Sequence, residues 1–162
     1  MLPNPHLPQL HPRIVGSAKE KCTVLTSHDW HGATQAWNQG QVRNGLECNG
    51  YWSINIEDDG EFVFELRRWP IEEDRPIRAG IPGKTIDLFN GGKELMITSA
   101  KIVVGGHEQV VKVGPLAKSV GFRLFVESGP TQLKTYFNNE EDTLLGAYYV
   151  YVTKAVDNNL FC

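Results

Sequence analysis

Residues 51–69 read YWSINIEDDGEFVFELRRW, and this stretch decides the fold class. Apolar side chains recur at every second position in both of its halves, at Trp52, Ile54 and Ile56 and then at Phe62, Phe64 and Leu66. Alternation with a period of two predicts β-strands that bury one face. The Asp59-Gly60 pair between the two halves is typical of tight hairpin turns, so the two strands are predicted to pair antiparallel.

The rest of the chain repeats this pattern. Residues 119–127 place Val120, Phe122, Leu124 and Val126 on one face. Further strands are predicted at residues 22–25, 95–104, 109–113, 131–137 and 146–153, and Gly105-Gly106 predicts a second hairpin. About eight such strands predict an all-β fold, an antiparallel two-sheet β-sandwich with a jelly-roll-like topology. The apolar residues of 51–69 and 119–127 are expected to form one core between the sheets.

Composition and charge restrict the function. The 162 residues carry 16 basic and 19 acidic side chains, which are interspersed along the chain. A nucleic-acid binder would show a basic stripe and a membrane protein a long apolar run, and the sequence has neither. We therefore expect neither nucleic acid nor membrane as a partner. Residues 1–21 are proline-rich and are predicted to be a linker or strap, residues 22–156 the sandwich, and residues 157–162 a tail.

The three cysteines give no recognisable motif. Cys22, Cys48 and Cys162 lack the C-x-x-C spacing of a metal or redox site. A disulfide between Cys22 and Cys48 and two separate buried thiols are both compatible with the sequence. The first residues show no basic region followed by an apolar one, so no signal peptide is predicted.

One loop concentrates residues that carry chemistry. His28, Asp29 and His31 surround Trp30, and Trp37 follows shortly after. The two histidines, with the aspartate between them, are candidate metal ligands, but a catalytic zinc needs three well-placed protein ligands, and a third to join the two histidines is not evident. The alternative is a loop whose tryptophans close one end of the sandwich. Acidic turns elsewhere allow a structural calcium ion, although they lack the spacing of a known calcium loop.

The outward faces of the predicted strands carry more aromatic and arginine residues than a solvated sheet needs. The residues concerned are Arg67, Trp69, Arg123, Tyr149 and Tyr151. Aromatic rings stack on sugars, and arginine forks bind carboxylate or sulfate through paired hydrogen bonds. These residues, assisted by Trp30 and Trp37, predict a surface for an acidic or sulfated glycan. The alternative is that the polar loop at residues 71–92, or a neighbouring domain, covers them.

Several motifs together resemble a known family. They are HDWHG at residues 28–32, WNQ at 37–39, NGYW at 49–52, FELRRWP at 64–70 and GAYYVYV at 146–152. In order and spacing they are similar to the C-terminal extension that follows the catalytic domain of bacterial arylsulfatases. The resemblance covers about residues 26–152, and it implies an accessory, non-catalytic domain attached to an exported sulfatase.

The family's catalytic motif is missing from this chain. A sulfatase nucleophile lies in a C/S-x-P-x-R motif, and none of the three cysteines begins one. Sulfatase activity therefore cannot be carried over to any residue here. Three hypotheses remain: a glycan-binding accessory module, an interaction domain that docks on a catalytic sulfatase domain of the same parent chain, and a small metal-dependent enzyme that uses His28, Asp29 and His31.

Overall fold

The chain folds into two packed β-sheets. A computed structural model describes residues 11–32, 39–45, 48–83, 91–140 and 144–155. Its strands are β1 Arg13–Val15, β2 Cys22–Thr26, β3 Tyr51–Ile56, β4 Gly60–Arg67, β5 Ser99–Val104, β6 His107–Lys112, β7 Val120–Val126, β8 Gly129–Asn138, β9 Leu144–Leu145 and β10 Tyr149–Lys154. A short helix, α1, spans Gln39–Arg43, and single 3₁₀ turns lie at Ser27–Asp29 and Ile71–Glu73.

The strand order confirms the predicted sandwich. The first sheet has the order β1-β3-β8-β5-β6, with β9 added against β8, and the second has the order β2-β10-β4-β7. Among the described strands, every pairing is antiparallel except that of β1 with β3. The chain changes sheet between every two consecutive strands except between β5 and β6 and between β8 and β9. Such repeated crossing agrees with the predicted jelly-roll-like topology.

The predicted core is confirmed. β7 alternates without exception between buried and exposed residues, as its sequence indicated. All ten alternating apolar residues of the two quoted stretches belong to one buried cluster, and none of them is more than 8% exposed. β3 contributes Trp52 from the first sheet, and β4 contributes Phe64 from the second. Their inward side chains fill the space between the sheets, which is the main source of stability in such a fold.

The predicted hairpin of β3 and β4 is wrong. β3 pairs with β1 and β8 in the first sheet, whereas β4 pairs with β10 and β7 in the second. Neither Asp59 nor Gly60 has the positive φ that a type I′ hairpin turn requires. Instead, the Asp59 carboxylate accepts a hydrogen bond of 2.6 Å from the backbone N–H of Ser128. The Asp-Gly pair therefore lies in a corner, where the chain passes from the first sheet to the second.

The second predicted hairpin is confirmed. β5 and β6 pair antiparallel around Gly105 and Gly106. These glycines have φ values of 54° and 79°, the two positive values that a type I′ turn needs. The conformation of the dipeptide, and not its composition alone, distinguishes this hairpin from the corner at Asp59-Gly60.

The N-terminal segment contains a strand, and the cysteines match neither of the two alternatives given above. β1 lies inside the proline-rich segment and runs parallel to β3 at the edge of the first sheet. Cys22 is disulfide-bonded, whereas Cys48 is a buried free thiol, so the two do not pair. Burial raises the pKa of Cys48 to about 11. No helix in the described ranges is long and apolar enough to cross a membrane.

The core assignment predicts a large effect of truncating Phe64, whose side chain is fully buried. Phe64→Ala should lower the free energy of unfolding by about 3–5 kcal/mol, because it removes buried surface and leaves a cavity. Urea unfolding followed by circular dichroism measures this change. Phe125→Ala, on the outer face of β7 and 56% exposed, is the matched control and should change it by less than about 0.5 kcal/mol. Equal effects of the two variants would contradict the assignment.

Candidate functional site

Three of the recognised motifs meet at one end of the sandwich around Trp30. The Trp30 ring packs edge-on against Trp52 at 5.7 Å between centroids and lies 5.9 Å from the Tyr148 ring. A Cβ on Gly146 would approach the Trp30 ring to 2.6 Å, and one on Gly50 would lie 2.8 Å from the Trp30 Cβ. The two glycines are therefore needed to make room for this indole.

Backbone hydrogen bonds hold the Trp30 loop in place. The N–H of Ser27 donates to the carbonyl of Tyr148 at 2.9 Å, and His31 and Tyr51 exchange two backbone hydrogen bonds of 2.8 and 3.0 Å. As a result Trp30 is only 2% exposed. Its ring cannot stack on a sugar from solution, so we remove it from the predicted binding residues. Trp37 lies outside the described residues.

The candidate metal ligands of this loop do not converge. His28 and Asp29 are exposed, while His31 is half-buried with its ring 5.5 Å from that of Tyr51. Among the described residues, no group of three or more His, Cys, Asp or Glu side chains is placed to hold a metal ion. The described residues therefore offer no such set of ligands for the metal-dependent enzyme, and none for a calcium ion in the acidic turns.

Arg68 has a structural role that was not predicted from the sequence. Its side chain is fully buried, and its two terminal nitrogens donate to backbone carbonyls. The acceptors and distances are Val42 3.4 Å, Arg43 3.1 Å, Ile77 3.4 Å, Ala79 3.1 Å and Lys93 2.6 Å. Burial lowers the pKa of Arg68 to about 10, which leaves the guanidinium charged at neutral pH.

A signal for Arg68 was present in the sequence. Phe62, Phe64 and Leu66 point inward, so strict alternation places Arg68 inward as well and Arg67 outward. A charged group that enters the core needs hydrogen-bond acceptors there, and Arg68 finds them for both terminal nitrogens but not for Nε among the described residues. Two adjacent arginines at the end of an alternating strand therefore predict one surface residue and one buried anchor.

The loop after β4 covers Trp69. Its indole N–H donates to the carbonyl of Ala79 at 3.1 Å, and its ring lies against Gly92, where a Cβ would come within 3.2 Å of it. Trp69 is 2% exposed. The predicted stacking role is therefore not available to Trp69, and the alternative of a covering loop holds for this residue.

The remaining predicted residues share the outer face of the second sheet. Tyr149 of β10 lies directly opposite Arg67 of β4, and Tyr151 lies opposite Glu65. On the other side of β4, Arg123 of β7 lies opposite Val63. The register thus brings together four of the seven predicted binding residues. We call the surface of Arg67, Tyr149, Tyr151 and Arg123 the arginine–tyrosine face.

Arg67 and Tyr151 form the deep part of this face. Arg67 is 8% exposed, its Nε donates to a Glu65 carboxylate oxygen at 2.5 Å, and its Cζ lies 6.0 Å from the Tyr151 ring centroid. Within the described residues, the Nη1 nitrogen of Arg67 is buried and has no hydrogen-bond partner. The Tyr151 hydroxyl accepts a hydrogen bond of 3.0 Å from the N–H of Ile71, and burial raises the pKa of this tyrosine.

The rim of the face is charged and more open. Lys118 donates to the Asp74 carboxylate at 2.6 Å, and this contact lowers the pKa of Asp74. On β7 the Arg123 side chain is 52% exposed and lies 3.2 Å from a Glu61 carboxylate oxygen. Each arginine of the face therefore has a glutamate partner.

Comparisons with known proteins give no family. No protein-family model matches the chain, and no curated protein matches it. A ruminal GH26 endo-beta-1,4-mannanase matches with a TM-score of 0.47 and 10% identity, over 85% of this chain but only 26% of the mannanase. Family 35 carbohydrate-binding modules match over most of their own length. The module from Clostridium thermocellum has a TM-score of 0.41 and 10% identity, over 81% of this chain and 98% of the module. The one from Cellvibrio japonicus has a TM-score of 0.45 and 9% identity, over 83% and 94%.

Likenesses this distant carry no argument about function. The chain spans about a quarter of the mannanase, and the sequence identities are near 10%. The sandwich architecture rests on the strand pairing described above. The resemblance to arylsulfatase extensions finds no support in these comparisons and stays a prediction.

The Arg68 contacts predict a strong dependence of stability on this residue. Arg68→Met keeps much of the side-chain volume but removes five hydrogen bonds to carbonyls. The carbonyls of Val42, Arg43 and Ala79 keep another donor, whereas those of Ile77 and Lys93 lose the donor described for them, so the free energy of unfolding should fall by about 3 kcal/mol. Arg123→Met removes the same charge from a half-exposed position and should cost less than about 1 kcal/mol. Chemical unfolding of both variants provides the measurement. A stable Arg68→Met protein with unchanged loop protection in hydrogen exchange would refute the anchoring role.

Proposed function

We propose that this chain is a non-catalytic module that binds an acidic or sulfated saccharide on the arginine–tyrosine face. One observation carries the proposal: the buried Nη1 of Arg67 has no hydrogen-bond partner among the described residues, and it lies on the sheet face shared with Tyr149 and Tyr151. A buried charged donor without a partner costs free energy, about 1–3 kcal/mol or more. A sulfate or carboxylate oxygen is the acceptor that relieves this cost best.

Tyr149 supplies the second element of a saccharide site. It lies across from Arg67 in the strand register and is half-buried, so part of its side chain remains accessible beside the guanidinium. Aromatic side chains combine an apolar face with a polar tip, which suits the apolar face and the hydroxyl groups of a sugar ring. Arg67 would hold the charged group of the ligand, and Tyr149 would contact its ring.

Arg123 sets a requirement on ligand length. It pairs with Val63, four residues before Arg67 on β4, so the two arginines are about 14 Å apart on the standard spacings of strands and residues. A single sulfate cannot reach both, and only a charged oligosaccharide can. Because Glu61 and Glu65 already pair with these arginines, binding should be weak and should decrease as salt increases.

A docking role is the second candidate, and exposed apolar residues on the same outer face favour it. Phe125 of β7 is 56% exposed and Val24 of β2 is 39% exposed. A catalytic domain that covered them would bury this apolar surface, which stabilises an interface. The arylsulfatase resemblance implies such a domain in the parent chain. In this alternative, Arg67 would pair with an acidic side chain of the catalytic domain.

Titration calorimetry with sulfated oligosaccharides and their desulfated counterparts tests the saccharide proposal. Binding of the sulfated forms should weaken about tenfold or more in Arg67→Gln, since one charge-assisted hydrogen bond contributes about 1.5–3 kcal/mol. Lys112→Gln removes the same charge from an exposed position on β6 and should leave binding unchanged. No binding at millimolar sugar, or equal affinities of the two variants, would reject the proposal and leave the docking alternative.

The proposal also predicts that the isolated chain does not hydrolyse sulfate esters. Cys22 is followed by Thr-Val-Leu and Cys48 by Asn-Gly-Tyr, so neither begins the motif that yields formylglycine. A chromogenic aryl sulfate incubated with metal-loaded protein should release no product above the rate in buffer. Turnover that disappeared on a point substitution within this chain, such as His31→Ala, would show that the chain is an enzyme.

A further inference from the structure

A groove runs along one edge of the sandwich, and its lining shares no residue with the arginine–tyrosine face. It has a volume of about 740 Å³ and lies between edge strand β1 and the segment that follows β2. Arg13 and Ile14 line it on the β1 side, and His28 and Asp29 line it on the other. Trp30 and Trp52 also border it, but they are only 2% and 1% exposed, so they support the lining from the core. This volume falls in the range of small-molecule sites in proteins.

The base of the groove is preformed. The Trp52 indole N–H donates to the carbonyl of Thr26 at 2.8 Å, and Trp30 packs on Trp52 as described above. His31 is fixed by its two backbone hydrogen bonds with Tyr51. A ligand that enters the groove therefore meets side chains whose positions the core already determines, which reduces the entropic cost of binding.

The lining indicates an uncharged ligand rich in hydroxyl groups. Acceptors and donors are both present, since Glu20 and Asp29 supply carboxylates, Arg13 a guanidinium and Ser53 a hydroxyl group. Arg13 lies 3.8 Å from Glu20 and is partly neutralised by it, so the groove has no excess of positive charge to attract an anion. The carboxylate, imidazole and hydroxyl groups of the lining offer the donors and acceptors that the hydroxyl groups of a sugar need.

We propose that this groove is a second saccharide site, one that takes an uncharged sugar ring. Asp29 accepts hydrogen bonds from neighbouring hydroxyl groups of the sugar, and His28 and Ser53 complete its polar contacts. The proposal extends the proposed function to a second ligand type, but it does not depend on Arg67 or on the arginine–tyrosine face. The two sites therefore differ in place, in lining and in the charge of the ligand.

Nuclear magnetic resonance of the indole N–H groups tests the groove directly. The probes are glucose, galactose, mannose and xylose, titrated separately into the full chain labelled with ¹⁵N. At least one should shift the Trp30 and Trp52 signals in a saturable way at millimolar concentration. The Trp69 signal, assigned with a Trp69→Phe variant, should not move, because this indole lies under the loop after β4.

Matched variants locate the site. Asp29→Ala should weaken the affinity at least tenfold, because it removes the acceptor for the sugar hydroxyl groups. Asp58→Ala, an exposed carboxylate in the corner between β3 and β4, should leave the affinity unchanged, and so should Arg67→Gln. Both aspartates are exposed, so neither variant is expected to unfold the domain.

The outcomes separate this inference from the proposed function. The groove site is overturned if no neutral sugar shifts the Trp30 and Trp52 signals, or if Asp29→Ala and Asp58→Ala bind equally well. Binding of sulfated oligosaccharides through Arg67 without any response to neutral sugars would leave the proposed function intact and overturn the groove site. Binding of neutral sugars that is lost in Asp29→Ala, without binding of sulfated ones, would support the groove and reject the sheet face.

Discussion

The charged guanidinium of Arg68 has to be accommodated inside the apolar core. A buried cation is very costly unless its N–H groups are hydrogen-bonded. In the described part of the chain, those bonds go to carbonyls from three separate segments, at residues 42–43, 77–79 and 93. The three segments can accept these hydrogen bonds only if all of them lie close to Arg68. The loops that contain them are therefore arranged around one side chain. Trp69, with its ring 4.4 Å from the Arg68 guanidinium carbon, then closes the contact.

The same constraint determines the outer face of the second sheet. Arg67 and Arg68 are neighbours, and strand alternation sends their side chains to opposite sides. Because the Arg68 side chain is fixed on the core side of the sheet, the Arg67 side chain lies on the outer side, directly opposite Tyr149. The loop that Arg68 fixes also supplies the N–H of Ile71 to the Tyr151 hydroxyl. The geometry of the proposed anion site is therefore a consequence of core burial.

The alternation of apolar residues predicted the strands and their buried faces well, but the sequence did not predict which strands pair. The alternation of β7 identified its buried face because the periodicity of a strand depends only on its own residues. The partner of β3 could not be read in the same way, since a turn dipeptide permits a hairpin but does not exclude a corner between sheets. Whether a tryptophan can contact a ligand or is buried in the core likewise depends on which segment covers it. Trp69 is covered by a loop whose path is set by Arg68, and no short-range signal in the sequence encodes that path.

The two proposed saccharide surfaces are close neighbours, and the strand register shows how they are related. Arg67, Tyr149 and Thr26 lie side by side on β4, β10 and β2. Strands are spaced about 4.8 Å apart, so this row is about 10 Å long. Asp29 follows Thr26 by three residues, at the point where the chain leaves β2 and enters the wall of the groove. A ligand with a charged group over Arg67 would thus extend across Tyr149 toward the groove. One oligosaccharide with an acidic unit followed by uncharged units could therefore occupy both surfaces, and its affinity would exceed that of either part because the second contact becomes intramolecular.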